Sequence, residues 1–315
     1  MITAIHRLCA WGSNAVSVLV VLVVSMVPGL VQAETKESGG LQLLSFNVRY
    51  QTDADGGTRH WKKRFPLAVE LVHRMSPDVM GVQEALSGQL DDLQKKLPDY
   101  AVFGVGRDDG KRRGEHVSVF YRKDRFRIDK EDCGHFWLSD TPQDPGSRSW
   151  GNGITRMCTW LRLVDQRSGR GLYVFNTHWD HRHQGSREQA ARLIARRMAS
   201  RKSPQDPVVL MGDFNVVEKN PAIRYLLGES VPLDGGRGPE KWASPLVDVF
   251  QQLHPDCKNR RTYHGWAGQR EGMAKIDHVF VSRELKPLAA EICYDEREGV
   301  YPSDHYPVSV RVAWP

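Results

Sequence analysis

Apolar runs that end in a polar side chain recur along this chain. Residues 41–48 form the first, with Asn47 at its close, and such a near-continuous apolar run predicts a strand buried on both faces. Residues 79–83 predict a second strand, which leads into Glu84. Further strands are predicted at 117–121, 158–164, 172–177, 208–211, 276–281 and 308–312. Helical spacing replaces the strand pattern at 65–75, where Leu67, Leu71 and Met75 share a face and Ser76-Pro77 marks the stop. It recurs at 90–97 and at 186–199. The last segment reads as a capped helix, with Ser186 and Gln189 as a capping box. Its buried stripe is Ala191, Ile194, Ala195 and Met198, and Arg187, Arg192, Arg196 and Arg197 lie on a face expected to be solvated. Loops rich in Gly and Pro are expected at 140–153 and 231–239. Hairpin-like neighbours mixed with helix-separated strands favour an α/β sandwich, with sheets inside and helices outside.

The N-terminus reads as a targeting segment. Arg7 precedes an uncharged stretch from 15 to 27, Pro28-Gly29 breaks it, and Val31-Gln32-Ala33 supplies small residues before Glu34. We expect a signal peptide over residues 1–33, cleaved after Ala33, a short linker over 34–40, and a domain over 41–315. The apolar stretch is shorter than the roughly 20 residues of a comfortable span, so the mature protein is expected to have no transmembrane segment and to be secreted or periplasmic. Export permits disulfides, and the four remaining cysteines (Cys133, Cys158, Cys257, Cys293) allow three pairings; buried thiols are an equal alternative. None shows the CxxC spacing of a zinc site.

The 315 residues are 40% hydrophobic, enough for one large core, and 44 Lys+Arg against 38 Asp+Glu give net charge +6. That excess permits an anionic partner without requiring one. There is no Walker loop, no Gly-x-Gly-x-x-Gly fingerprint and no Gly-x-Ser-x-Gly elbow.

What singles the chain out is chemistry at strand ends. Asn47, Glu84, His178, Asp213, Asn215, Asp277 and the Asp304-His305 pair all lie where a rigid sheet can aim polar groups into one cleft. In order, Leu44-Ser45-Phe46-Asn47, Gly81-Val82-Gln83-Glu84, Asn176-Thr177-His178, Gly212-Asp213-Phe214-Asn215, Ile276-Asp277-His278 and Ser303-Asp304-His305-Tyr306-Pro307 resemble the endonuclease/exonuclease/phosphatase superfamily, which includes deoxyribonucleases, sphingomyelinases, inositol-polyphosphate phosphatases and deadenylases. Residues 105–125, 136–139 and 156–160 resemble an often secreted bacterial branch without an assigned substrate. His116 and Trp179 depart from that branch and flank catalytic positions.

The resemblance implies a four-layer α/β sandwich, two packed mixed β-sheets flanked by helices, and a metal-dependent phosphoester hydrolase. Glu84 and Asn47 are hard ligands of the kind that hold Mg²⁺ or Mn²⁺, and Asp304 completes the shell. His305 is the natural general base for water, with Asp277 fixing its tautomer. The resemblance pairs His178 with Glu115, makes Asp213 orient the nucleophile, and makes Asn215 donate to a phosphoryl oxygen. Arg156 is either a phosphate clamp or a salt bridge at a strand edge. Arg107, Lys111, Arg112 and Arg113 either line the mouth or form a solvated loop. With no aromatic-interleaved basic stripe, the expected partner is a phosphorylated small molecule or lipid headgroup, and the protein is expected to be a monomer. The alternatives are an extracellular or periplasmic nuclease acting on DNA or RNA, and a non-catalytic binding module on the same fold.

Overall fold

The computed structural model describes residues 40–314; the expected signal peptide and nearly all of the linker lie outside them. Two six-stranded sheets carry the fold. The first contains β1 (Gly40–Asn47), β2 (Val79–Ala85), β3 (Tyr100–Phe103), β4 (His116–Arg122), β13 (Lys286–Ile292) and β14 (Val308–Ala313). Its order is β13-β14-β1-β2-β4-β3. The second contains β5 (Phe126–Trp137), β6 (Met157–Asp165), β7 (Gly171–His178), β8 (Val208–Asp213), β11 (Val247–Asp248) and β12 (Asp277–Val281), in the order β11-β12-β8-β7-β6-β5. Each sheet has one parallel pair, β1 with β2 and β7 with β8, and the remaining pairs are antiparallel. Parallel neighbours need a crossover, and α1 (Trp61–Met75) and α3 (Gln184–Ala199) supply the two crossovers. The helices α2 (Ser87–Lys96), α4 (Pro221–Leu226) and α5 (Val249–Leu253), and a small hairpin of β9 (Val231–Pro232) with β10 (Pro239–Glu240), complete the described elements.

Alternation along the strands builds the layers. Leu43 packs between the sheets, while Leu44 packs outward with Leu71 and Val72 of α1. On β8, Val209 and Met211 face the first sheet while Val208 and Leu210 pack with Ala191 and Ile194 of α3. The result is the four-layer sandwich expected. Close approach of the sheets demands Gly81, where an added Cβ would lie 2.7 Å from the Met211 sulfur and 2.8 Å from Asn176 Oδ1. Beside it, Gln83 Nε2 donates to Asn176 Oδ1 (2.7 Å), and Asn176 Nδ2 donates to the Val82 and Ser118 carbonyls. This polar bridge, in which Gln83 Oε1 alone of the two side-chain amides lacks a partner among the described residues, ties the two sheets face to face behind the strand ends.

Three expectations need correction. Helix α1 begins at Trp61, four residues early, because Pro66 is tolerated in the second turn and Trp61, Arg64 and Leu67 already form a buried stripe. Ser186 is no cap: α3 starts at Gln184, and the buried Ser186 Oγ has no partner among the described residues. Instead Asp180 Oδ1 accepts from the Arg182 and His183 amides just before the helix. Nor is the basic face of α3 simply solvated, since Arg192 forks onto Glu240 and Arg187 donates to the Asp180 carbonyl. The four described cysteines are free thiols. Among the described residues no helix is long and apolar enough to cross a membrane.

Candidate active site

The strand ends deliver their polar groups to one open cleft of about 290 Å³. Glu84, Glu115, Arg156, His178, Asp213, Asn215, Asp304 and His305 all line it. Glu84, near the end of β2, has φ 66° and Asn215 has φ 54°, both in the left-handed region; for Glu84 this is a strain the surrounding sheet must hold in place. Gly212 makes room for the turn at Asn215, because a Cβ there would lie 2.0 Å from the Thr177 carbonyl oxygen.

At the centre, His305 Nδ1 lies 2.9 Å from Asp277 Oδ2, and Nε2 lies 3.8 Å from Asp213 Oδ2. Asp277 does not line the cleft itself; it is buried behind the ring. Burial opposes charge on His305, but Asp277 and then Asp213 outweigh it and raise the imidazole well above its usual pKa. Asp213 is pushed up to about 7 by burial first and by Asp277 second.

His178 approaches Asp213 from the other side, Nε2 to Oδ2 3.5 Å. Its expected partner Glu115 stands 3.9 Å from Nδ1, too far for a hydrogen bond. Glu115 instead takes a two-pronged fork from Arg107 at 2.6 and 2.7 Å. His305 therefore holds a carboxylate of its own, Asp277, whereas His178 does not, and both imidazoles also approach Asp213 Oδ2. Burial, then Arg156 and Arg107, keep His178 well below its usual pKa.

Asn47 Nδ2 donates to Glu84 Oε1 and to Asp213 Oδ2, each at 3.0 Å, and its Oδ1 accepts from the Arg49 amide. For its oxygen to meet a cation the amide must be turned over, an exchange of near-isosteric ends. The oxygen-rich donor set suits a divalent cation. Glu84, His178 and Asp213 bring one ligand atom each within 4.8 Å of one another, as do Asp213, Asp277 and His305. Asp304 belongs to neither trio, though it lines the same cleft. Burial first, and Glu84 among its neighbours, raise its carboxyl pKa. Buried carboxyls displaced upward in this way are what a bound cation would relieve.

Asn215 Nδ2 donates to the Trp179 carbonyl (3.1 Å), so only its second hydrogen is free for a ligand. Arg156 is 5% exposed and makes no ion pair with a carboxylate among the described residues, so it is not a strand-edge salt bridge. Its Nη2 donates to His181 Nδ1 at 3.1 Å, while Nε and Nη1 have no partner. Of the four basic residues before Glu115, only Arg107 reaches the cleft; Arg112 pairs with Asp91 (2.6 Å) and Arg113 with Asp109 (3.8 Å) at the surface. Trp179 and His116 are buried and do not line it.

Sequence reasoning missed His181, Arg49 and the half-exposed Tyr263, which all line the cleft. The Tyr263 ring sits 4.9 Å from that of His305. His181 lies three residues after His178, a spacing without a strand or helix signal, and Tyr263 falls in a stretch with no periodicity.

The model of the Endonuclease/Exonuclease/phosphatase family matches residues 44–305. The chain belongs to that family. No functionally curated protein matches it. Among solved structures, an endonuclease/exonuclease/phosphatase from Bacteroides vulgatus is 28% identical, covering 88% of this chain and 99% of that one at TM-score 0.76. The mannosyl-6-phosphatase of Bacteroides thetaiotaomicron is 30% identical, covering 87% and 100%, at TM-score 0.75. The human Nocturnin catalytic domain, 16% identical over 88% and 94% at TM-score 0.66, shares the fold. Two six-stranded mixed sheets with helices around them are the family's α/β sandwich.

Proposed function

We propose that this member of the family is a divalent-metal-dependent hydrolase of a small phosphorylated substrate, acting outside the cytoplasm. The observation that carries the reading is that His305, backed by Asp277, and Arg156, with two unpartnered donors, line the same cleft. Glu84, Asp304 and Asn47 would hold Mg²⁺ or Mn²⁺, which would supply charge neutralisation to the phosphoryl oxygens. Against burial, Asp277, then Asp213 and Asp304, raise the His305 pKa. With a cation offsetting Asp213 and Asp304, neutral His305 would take a proton from the attacking water at Nε2, and Asp277 would stabilise the resulting imidazolium and fix the tautomer. Asp213, between the two imidazoles, orients that water. The free hydrogen of Asn215 and the Arg156 guanidinium bind phosphoryl oxygens. His178, held neutral, donates towards the leaving oxygen, and Glu115 sets the position of Arg107 beside it.

A nuclease reading loses support because the mouth arginines are already paired to Asp91 and Asp109, so they do not form a track for successive phosphates. The likeness to a mannosyl-6-phosphatase supports a sugar phosphate as the first substrate to try. Arg7, the uncharged stretch from 15 to 27 and the small residues before Glu34 support a secreted or periplasmic site of action. The test is a panel with Mg²⁺ or Mn²⁺: sugar phosphates, inositol phosphates, phospholipids, plasmid DNA and RNA. Turnover of a small phosphate is expected; turnover of nucleic acid alone would overturn the reading.

A further inference from the structure

Arg156 leaves two of its donors unspent. Nε and Nη1 are buried without a partner, an arrangement that native proteins avoid unless a water or ligand takes the bonds. Arg156 also borders a void of only about 10 Å³, which it shares with Arg107, Glu115 and His178 of the main cleft and with His116, Val117, Thr155 and Met157 behind them. A void of that size takes one oxygen-sized group and nothing larger. Its single carboxylate among the described residues, Glu115, is already forked by Arg107.

The third Arg156 donor is used. Nη2 donates to His181 Nδ1, and a guanidinium can only donate, so Nδ1 is bare and the neutral ring carries its hydrogen on Nε2. No group among the described residues bonds that Nε2. Burial, then Arg156, hold the imidazole below its usual pKa, which keeps it in this neutral form. His181, an exposed residue that lines the cleft, thus holds Arg156 Nη2 and keeps an Nε2–H that no described residue takes.

We propose that Arg156 and His181 form a pocket for bare terminal phosphoryl oxygens that restricts the enzyme to phosphomonoesters, with His181 as the specificity-determining residue. The proposal rests on the hydrolase reading above and names its substrate class. A phosphomonoester carries about −1.5 to −2 charge near neutrality, and its three unesterified oxygens can accept every donor offered here. A diester has two such oxygens and lower charge. With two terminal oxygens and a single charge, it attracts the guanidinium less and leaves one of the three donors, Arg156 Nε and Nη1 and His181 Nε2–H, without an acceptor of its own.

The experiment compares p-nitrophenyl phosphate with bis-p-nitrophenyl phosphate in Mg²⁺, and inorganic phosphate as a competitive inhibitor, for wild type, His181→Ala and His181→Asn. Wild type should favour the monoester. In His181→Ala the monoester KM and the phosphate Ki should both rise about 10- to 100-fold while diester turnover moves by less than about threefold, the worth of one hydrogen bond to a charged group. His181→Asn keeps an acceptor for Arg156 and should recover part of the preference, and it is the variant to read if alanine impairs folding. Equal losses on both esters, a wild-type preference for the diester, or an asparagine variant no better than alanine would overturn the pocket while leaving the hydrolase standing. A wild type that cleaves neither ester would overturn both.

Discussion

Two buried imidazole–carboxylate pairs lie side by side in this protein, and only one opens onto the cleft. His305 and Asp277 meet at 2.9 Å, and so do His278 and Asp248. Asp277 and His278 are sequence neighbours on β12, so their side chains leave opposite faces of the second sheet. The difference is what happens at the second ring nitrogen. His278 Nε2 is closed off by the Val216 carbonyl at 2.9 Å, and Lys275, 0% exposed, donates to Asp248 (2.8 Å) and stands 2.6 Å from the ring. Burial pushes Asp248 up, but Lys275 and His278 outweigh it and hold it well below the ordinary carboxylate range. His305 Nε2 instead faces the cleft beside Asp213 and Asn47. A buried His–Asp contact is therefore not itself a sign of catalysis; what separates the pair proposed to be catalytic is a second ring nitrogen open to the cleft.

Several experiments break or sharpen this contrast. The largest effect belongs to the metal: stripping with EDTA should abolish turnover, and added Mg²⁺ or Mn²⁺ should restore it. Full activity of the stripped protein would remove the cation from the account. Next comes the closed pair. Lys275→Met strands Asp248 in the core and should lower unfolding free energy by about 3–5 kcal/mol, measured by urea denaturation. The molecules that remain folded should keep turnover near wild type; a hundredfold loss of kcat at full folding, roughly 3 kcal/mol in barrier, would place that network in the chemistry instead. The smallest effect is expected at the rim. Arg112→Ala with Arg113→Ala should change KM only a few-fold, as for exposed charges that are already paired. A steep, salt-sensitive loss on nucleic acid would point to a polyanion site.

Much of this could be read in the sequence, for reasons particular residues make plain. Strands buried on both faces, such as β1 and β8, announce themselves because nearly every position must be apolar. The edge strands β5 and β13 did not, since their exposed faces accept Arg127, Lys130, Glu131 and Lys286 and so dilute the pattern. The site residues at strand ends were legible because each polar residue interrupts an apolar run. His181 and Tyr263 were not, because loop geometry alone brings them to the cleft. The stronger partner of Glu115 was hidden for a related reason: Arg107 returns to it through a turn at Gly106, where a Cβ would lie 2.1 Å from the Arg113 carbonyl oxygen, a closeness that spacing does not encode.

The contrast between the two histidines reduces to one substitution. With saturating Mg²⁺ on the best substrate of the panel, kcat of His305→Ala should fall roughly 10²–10⁴-fold, the usual worth of a general base. Because the substitution also strands buried Asp277, its melting temperature should fall as well and kcat is read per folded molecule; Asp277→Asn should shift kcat in the same direction. A His305→Ala enzyme that folds normally and keeps kcat within about twofold of wild type, far outside the loss expected of a missing base, would contradict the account at its centre.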